Sequence, residues 1–471
     1  MEPKTAFAFL VLPCNVLAFT LAVRKQGNDT FGTSHSFAMR ACTLLPTDSG
    51  SAPKPPSELR LHKPFLERAA EGGGEPESSL GLGAFLVLRL VDQFSVGANR
   101  PGQAAVEYQC SATKNFVDGL SPQNELTLPL SDIVSVAQIA LREDDRRLLF
   151  EPVLRLARIL EHEARFDESL DVLETASALS DGRDGDHEVA THLLRGRALR
   201  NAGRLVESKE AYTAGSAMAE RLGDTHSELL GQVGCGIIAR QQGNLPDSER
   251  LLRSVMLRAS RIDDRDAEAR ACHDLAGTLY FAGRAAEAVP HVFKAYELYE
   301  DRLQKARALG DTGTILKELG HYSAAQDAQK LVLAEELPPD TRAKTELECL
   351  ELAALVGDRI TFERFRQSIA DNRDVLLRET ELDFESHVGS GLSLFGEHDQ
   401  AEKHLNRAIA LAEELGMGER LFHAEQQLRE AQERRTQPDF VPGAPSTDES
   451  ELRHLRETME TLEALSAGER F

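Results

Sequence analysis

The sequence has no tryptophan, few other aromatic residues and no excess of positive charge. Over 471 residues, aromatics account for 6%, and the formal net charge is -23. A chain of this length needs two or three compact cores or one array whose units pack only on their neighbours. The scarcity of large side chains favours the array. The negative charge argues against binding to duplex nucleic acid, because phosphate neutralisation requires a basic face.

Cysteine is sparse, and its spacing excludes a disulfide framework and a cysteine metal site. The six residues are Cys14, Cys42, Cys110, Cys235, Cys272 and Cys349. No two of them are close in sequence, and scattered thiols are typical of a reducing compartment where cysteine packs in the core. We therefore expect a cytoplasmic protein without a cofactor.

Long apolar runs are absent except at the N-terminus. Residues 5–23 have nearly the length of a membrane span, but Pro13 and Asn15 interrupt the middle. Segment 1–25 is therefore predicted to be an extension, with a membrane anchor as the alternative. Residues 26–80 are rich in Gly, Ser, Pro and charge, a composition that cannot offset the entropy of folding, and we predict a disordered linker there.

A repeated helix–turn–helix pattern dominates the rest of the chain. Around Gly283, apolar and small residues recur at helical spacing, with Leu275 and Ala276 before the glycine and Ala288 and Ala295 after it. Antiparallel helices approach closely only where their side chains are small, and glycine suits the turn between them. Because one such pair cannot bury its own apolar face, it requires neighbouring pairs.

The same register recurs seven times. The turn residues are Ala164, Gly203, Gly243, Gly283, Gly320, Gly357 and Gly396, which by subtraction are 39, 40, 40, 37, 37 and 39 residues apart. Seven residues before each turn lie Ala157, Gly196, Gly236, Ala276, Gly313, Leu350 and Gly389. Five residues after it lie Ser169, Ser208, Ser248, Ala288, Ala325, Phe362 and Ala401. The sixth hairpin departs from the pattern, with Leu350 and Phe362 where the others have small residues.

This pattern resembles the tetratricopeptide (TPR) family over residues 151–416. The family's small residue in the first helix, its turn glycine and its alanines in the second helix all have counterparts here. Its large residue between them is matched by Phe166, Leu205, Leu245, Tyr322 and His398. The repeat of about 40 residues exceeds the usual 34, and the closing proline is missing. The resemblance implies an all-α, right-handed solenoid with seven repeats over residues 148–416.

Additional helices are predicted before the repeats. Segments 84–94, 103–120 and 131–142 have helical patterns, and Ser131 with Asp132 suits a helix start. We interpret residues 81–147 as an irregular helical cap on the solenoid.

Two helices are predicted after the repeats. Residues 417–436 form a polar helix suited to covering the last repeat, and residues 437–471 form a linker followed by a terminal helix opened by a capping box at Ser446 and Glu449. The apolar residues of the terminal helix are Leu452, Leu455, Met459 and Leu462. Their spacing fits a short coiled coil or packing back on the end of the solenoid.

Motifs of catalysis and metal binding are weak. Gly231, Gly234 and Gly236 resemble a phosphate loop only in composition, because no strand precedes them, and helix packing explains Gly236. The carboxylates between the first two hairpins lack the spacing of an EF-hand loop; they are Asp181, Asp184, Asp186 and Glu188. The 14 histidines form no HExxH motif. We therefore predict a protein that is not an enzyme and has no metal site.

In the TPR family the first helices line a concave groove, and the resemblance implies which residues face a ligand. These are Arg155, Arg158, Arg197, Arg200, Asn201, Arg240, Gln241, Arg270, His273 and Tyr280. Guanidinium groups bind carboxylates as a two-pronged fork, so these arginines suit an acidic peptide or a C-terminal carboxylate. The alternative is that they pair with carboxylates of adjoining helices.

The predicted function is a non-enzymatic scaffold for protein–protein interaction. It would hold a peptide or partner helix, with an acidic one favoured, in the groove of the solenoid. The alternative is a sensor or regulatory module of a signalling or transcription system. Because the sequence shows no helix-turn-helix and no catalytic domain, such a module would act in trans.

Overall fold

The structure, a computed structural model, describes residues 60–71, 75–95, 102–121, 126–180, 184–373, 376–415, 417–436 and 451–466. In these ranges every regular element is a helix, and no strand is found. Among these residues, no helix combines the length of a membrane span with a sufficiently apolar surface. The predicted N-terminal segment 1–25 lies outside the described residues, as do Cys14, Cys42 and Asp181.

The chain forms two compact units. The N-terminal unit ends at Gly234, and the C-terminal unit begins at Cys235. The helices of the N-terminal unit are α1 (Lys63–Glu71), α2 (Glu75–Ser95), α3 (Gln103–Val117), α4 (Thr127–Glu143), a 3₁₀ turn (Arg146–Leu149), α5 (Phe150–His162), α6 (Phe166–Leu179), α7 (Gly185–Asn201) and α8 (Leu205–Leu222). The boundary between the units falls within α9 (Thr225–Gln241).

The C-terminal unit contains eleven further helices among the described residues. They are α10 (Leu245–Arg261), α11 (Arg265–Phe281), α12 (Ala285–Leu298), α13 (Arg302–Glu318), α14 (Tyr322–Leu333), α15 (Pro339–Leu355), α16 (Arg359–Asp371), α17 (Arg378–Leu394), α18 (His398–Glu414), α19 (Gly418–Thr436) and α20 (Glu451–Ser466). Apart from α19 and α20, these helices alternate between the second and the first helix of successive hairpins.

All seven predicted turn residues lie in left-handed turns between two helices. The backbone angle φ is 57° at Ala164 and between 75° and 79° at the six glycines. Each first helix ends two residues before the turn residue, and each second helix begins two residues after it. At Gly283, for example, the glycine N–H donates to the carbonyl of Tyr280 at 2.9 Å, and the next N–H donates to the carbonyl of Leu279 at 2.9 Å. These bonds satisfy carbonyls that a helix end leaves open, which confirms the predicted hairpins.

Small residues bring the two helices of a hairpin together. The hydroxyl of Ser208 donates to the carbonyl of Gly196 at 2.6 Å, and that of Ser169 donates to the carbonyl of Ala157 at 2.8 Å. The helices can approach this closely because Gly196 has no side chain. A Cβ at this position would lie 2.8 Å from the ring of Tyr212. The packing interpretation of Gly236 is also confirmed, because a Cβ there would lie 2.8 Å from the side chain of Leu252. Gly231 and Gly234 lie in the same helix α9 and pack against neighbouring side chains in the same way.

The linker predicted for residues 26–80 is wrong over residues 60–71 and 75–80. Phe65 of α1 is fully buried, and the backbone of α1 lies so close to Gly81 of α2 that a Cβ there would approach the carbonyl oxygen of Phe65 to 3.0 Å. Helix α1 also contacts α6. The polar composition hid this helix because few of its residues are large and apolar, and Phe65 is the one large apolar side chain that it buries completely.

The helices predicted before the repeats correspond to α2, α3 and α4, but α2 and α4 both begin earlier than predicted. Helix α4 begins at Thr127, so Ser131 and Asp132 lie inside it and do not start it. Pro129 falls in the first turn of α4, where a missing N–H costs no hydrogen bond. The proline had therefore marked a helix start that the capping pattern missed.

The terminal helix α20 does not pack on the end of the hairpins. It contacts α12 and α14, the second helices of the fourth and fifth hairpins. Leu462 is fully buried and Thr458 nearly so, whereas Met459 is half-buried. The side chains of Leu452 and Leu455 lie outside those described. Spacing revealed the apolar stripe, but not the distant helices that it covers.

The described cysteines are buried or half-buried thiols without disulfides. Burial raises the pKa of the Cys110 thiol to about 11 and that of Cys272 to about 12. Because thiolate is the reactive form, these residues act as small apolar side chains, as the sequence indicated.

Candidate interaction surface

The predicted ligand-facing residues lie on the first helices of the hairpins, and most stand two, three, six or nine residues before a turn residue. We call the surface formed by these four positions the first-helix face of each unit. The first helices of the hairpins are α5, α7, α9, α11, α13, α15 and α17. Their common register makes equivalent positions of different hairpins directly comparable.

In the N-terminal unit, Arg155 and Arg158 are exposed and weakly held. The Arg155 guanidinium lies 3.1 Å from the carboxylate of Asp132 and that of Arg158 lies 2.8 Å from Glu151. The side chains of the two arginines are 51% and 41% exposed. Ion pairs this exposed contribute at most about 1 kcal/mol, so another carboxylate can replace either partner at little cost.

A second group in this unit centres on Glu161 of α5, whose carboxylate bonds Arg197 and Asn201 of α7. Arg197 Nε donates to Glu161 Oε2 at 2.7 Å, and Arg197 Nη2 also bonds this oxygen. Asn201 Nδ2 donates to Glu161 Oε1 at 2.7 Å. Beside this group, Arg200 is buried, and neither its Nε nor Asn201 Oδ1 has a hydrogen-bond partner. The contact between α5 and α7 is therefore satisfied at Glu161, and two buried polar atoms beside it lack partners.

In the C-terminal unit, Arg240 bonds Asp274 of α11 in a space that Gly277 leaves free. Its guanidinium donates to the carbonyl of Asp274 at 2.9 Å and to Asp274 Oδ1 at 3.2 Å. It also lies 5.9 Å from the centre of the Phe281 ring. A Cβ on Gly277 would lie 2.6 Å from Arg240 Nη1. The arginine therefore needs a glycine at position 277, which the sequence pattern had not indicated.

The remaining predicted residues lie on α9 and α11. Arg270 Nε donates to Asp266 at 2.8 Å, one turn earlier on the same helix. His273 Nε2 lies 2.7 Å from Asp311 Oδ2, and its Nδ1 lies 3.3 Å from the hydroxyl of Tyr299. Gln241 is exposed, and Tyr280 is half-buried with its ring edge-on to Phe281.

Five of the six predicted arginines form ion pairs. Three of them pair with an adjoining helix as the alternative supposed, namely Arg155, Arg197 and Arg240. The other two, Arg158 and Arg270, pair within their own helix. Arg200 is the exception, because no ion pair to a carboxylate is found for it among the described residues. The role of the ten residues in ligand binding stays a prediction.

Sequence reasoning missed a buried ion cluster formed by α13, α15 and α17. Lys317 Nζ donates to Glu348 Oε2 at 2.8 Å and to Glu351 Oε2 at 2.6 Å, and its side chain is 10% exposed. Although burial opposes it, the two carboxylates raise the pKa of Lys317. His387 Nε2 lies 3.5 Å from Glu351 Oε2.

The register contained a signal for this cluster. Arg240 and Lys317 both stand three residues before a turn glycine, and their partners Asp274 and Glu348 both stand nine residues before the next one. A cation at the first position therefore reaches an acid at the second position in the following hairpin. Aligning the repeats places both pairs at equivalent positions, but only the packing of the hairpins shows that these positions touch.

Glu348, Glu351 and His387 also approach the arrangement of a metal site. One ligand atom from each residue can be chosen so that all three lie within 4.8 Å of one another. The Lys317 ammonium, however, already bonds both carboxylates. A divalent cation would have to displace a buried positive charge, so this arrangement does not overturn the prediction that the protein has no metal site.

Comparisons with known proteins add little to this description. No family model and no curated protein matches the sequence. Among solved structures, the chain is similar to the apo form of the quorum sensor NprR from B. thuringiensis, with 12% identity, 70% of this chain and 87% of that chain covered, and a TM-score of 0.45. It is also similar to a Rap protein complexed with competence and sporulation factor, with 14% identity, 76% and 99% covered, and a TM-score of 0.39.

The fold therefore rests on the hairpins of this chain. Seven left-handed turns separate pairs of packed helices, small residues lie where the helices touch, and the register repeats every 37 to 40 residues. The protein is a TPR-like helical-repeat protein with unusually long repeats.

Proposed function

We propose that the protein is a non-enzymatic interaction scaffold that binds a peptide or partner helix on the first-helix face of its hairpins. The observation that carries this proposal is the pair of unsatisfied polar atoms at Arg200 and Asn201. Leaving such an atom buried without a partner costs about 1–3 kcal/mol. An extended peptide backbone offers an acceptor and a donor at each residue, so a shift of the Arg200 or Asn201 side chain on binding would give the unsatisfied atom a partner.

Arg155 and Arg158 favour an acidic ligand in the N-terminal unit. Both lie on α5, with exposed guanidinium groups and exposed carboxylate partners. A peptide carboxylate can exchange with Asp132 or Glu151 and gain a two-pronged bond to a guanidinium. We therefore propose that the partner presents a carboxylate near its contact with Asn201.

A displayed random peptide library, selected on the purified full chain, tests this function. Selected peptides are labelled and titrated by fluorescence anisotropy. For the Arg155→Gln/Arg158→Gln variant and for Asn201→Ala we expect affinity to fall by about tenfold, as expected when a contact to a charged or buried polar group is lost. The matched control is Arg250→Gln/Arg253→Gln, which removes two arginines with the same spacing from the second helix α10.

Two outcomes would overturn the proposal. One is a library that yields no binding peptide, and the other is a set of peptides that bind all three variants as tightly as the natural chain. The regulatory alternative uses the same face but predicts a different partner. Affinity purification of the full chain followed by mass spectrometry separates the two, because a regulatory module would recover a kinase or transcription component.

A further inference from the structure

The first-helix face of the C-terminal unit is acidic, in contrast to the arginines of the N-terminal unit. Asp274, Asp311 and Glu348 each stand nine residues before a turn glycine, so they occupy the same position on α11, α13 and α15. Glu351 lies on the same face as Glu348, one turn later. Arg240 neutralises Asp274. Glu348 and Glu351, in contrast, share the single ammonium of Lys317.

Lys317 cannot neutralise both of its partners. One ammonium lies between Glu348 and Glu351, which leaves this group with a net negative charge when His387 is neutral. The side chains of Glu348 and Glu351 are 19% and 32% exposed. Each carboxylate has two oxygens and about four acceptor positions. Capacity for a second cationic donor therefore remains on the solvent side.

Asp311 provides an independent indication that a donor is missing. Its side chain is 2% exposed, its Oδ2 bonds His273, and its Oδ1 has no hydrogen-bond partner. Burial raises the pKa of Asp311, the charge of Glu348 adds to this increase, and His273 and Arg307 oppose it. A buried acceptor that also experiences the charge of a second carboxylate is costly unless a cation or donor reaches it.

We propose that Asp311, Glu348 and Glu351 form a subsite for a cationic side chain of the bound peptide, an arginine or a lysine. This inference rests on the proposed function and assigns a positive group to a partner bound on α13 and α15 of the C-terminal unit. A guanidinium fits best because its planar fork can bond the two carboxylate groups at once. Lys317 then acts as the internal cation that holds the subsite together in the absence of a ligand.

The probe is a labelled hexapeptide, acetyl-Gly-Arg-Gly-Arg-Gly-Arg-amide, titrated against the full chain by fluorescence anisotropy at low salt. We expect the arginine peptide to bind more tightly than its lysine counterpart, and the glutamate counterpart not to bind. The Glu348→Gln/Glu351→Gln variant should weaken binding by about tenfold, because two charged acceptors are lost. The matched control is Glu336→Gln/Glu413→Gln, which changes the net charge equally at two exposed positions off this face.

A second variant distinguishes loss of the subsite from misfolding of the first variant. Lys317→Met keeps both carboxylates and removes the internal competitor, so the arginine peptide should bind about tenfold more tightly. Opposite shifts in the two variants cannot arise from general destabilisation. Circular dichroism of each variant checks that the helices remain.

Three results would overturn the subsite. The first is an equal loss in the two glutamate double variants, which would indicate only general attraction to an acidic chain. The second is an unchanged affinity of Lys317→Met. The third is binding of Zn²⁺ or Mn²⁺, titrated alone, with no binding of the arginine peptide. If library peptides depend on Asn201 but not on Glu348 and Glu351, the proposed function stands and this subsite fails.

Discussion

Single positions decide how closely neighbouring helices approach in this protein, and the sixth hairpin shows this best. Phe362 occupies a position where the other hairpins have serine or alanine, yet it is fully buried. The next hairpin compensates, because Gly391 on α17 leaves the space that the ring fills. A Cβ on Gly391 would lie 2.3 Å from Phe362 Cε2 and 3.2 Å from Ala354 Cβ. In the sixth hairpin a large residue therefore replaces a small one, and the glycine at position 391 of the next hairpin makes room for it.

Replacing Gly391 with alanine should therefore destabilise the protein. We expect a loss of about 1–3 kcal/mol in the free energy of unfolding, because overpacking forces the Phe362 ring or the helix to move. Urea denaturation followed by circular dichroism measures it, and Phe362→Leu in the same chain should restore part of the loss. Gly310→Ala is the matched control, since a Cβ at this helical position meets nothing within 4 Å. Equal effects at the two glycines would contradict this account.

At the scale of helices, a buried histidine just before α1 bonds residues of two other helices, α2 and α6. His62 precedes α1, and its side chain is fully buried. Its Nδ1 lies 2.6 Å from Asp171 on α6, and its Nε2 lies 3.1 Å from Asp92 on α2. Arg60 adds bonds to Asp171 and Thr175 of α6. These contacts hold in place a stretch whose composition resembled a linker.

The attachment should depend on pH. Burial opposes protonation, but Asp171 and Asp92 raise the pKa of His62 above its ordinary value of 6.5. A raised folded pKa means that the stabilisation is complete below about pH 6.5 and is lost as the pH rises through the folded value. We therefore expect the stability difference between the natural chain and His62→Gln to be largest near pH 6 and to shrink at higher pH. Thermal unfolding across this range measures it.

His291 on α12 is the control with the opposite sign. Burial, aided by Arg253, lowers the pKa of His291 to about 4. A lowered histidine pKa removes stability as the pH falls from about 6.5 toward 4, because the unfolded chain binds the proton first. The His291→Gln variant should thus lose this acid sensitivity, whereas His62→Gln should not. The same trend in both variants would contradict the assignment of the two histidines.

At the scale of the whole chain, a C-terminal helix covers an outer surface of hairpins that precede it by more than a hundred residues. Leu462 buries its side chain where α20 contacts α12 and α14. A chain truncated after Thr436 should expose amides of α12 and α14 to hydrogen exchange and lose about 1.5–3 kcal/mol of stability from this one leucine. Glu463→Gln in the full chain is the control, because Glu463 is exposed. Unchanged protection of both helices after truncation would contradict the packing of α20.

The repeat was readable from residues because a left-handed turn needs glycine, and a close helix contact needs a small side chain. Both demands recur at fixed spacing, so the seven turns and the packing role of Gly196 and Gly236 could be predicted. Helix α1 could not, since Phe65 gains its burial from α2 and α6. The docking of α20 was equally hidden, because an apolar stripe shows that a helix is covered but not by what.

For the candidate site, too, the sequence predicted where residues lie on their own helices but not which residues of other helices they meet. Local spacing placed Arg197, Arg240 and His273 on the first helices, because a helical period specifies the face of a helix on which a residue lies. Which carboxylate each of them meets depends on the rotation and offset between successive hairpins, and these follow from packing across the whole interface. Glu161, Asp274 and Asp311 therefore became partners only when the helices were stacked, and the stacking turned a predicted row of arginines into paired charges with a few open acceptors.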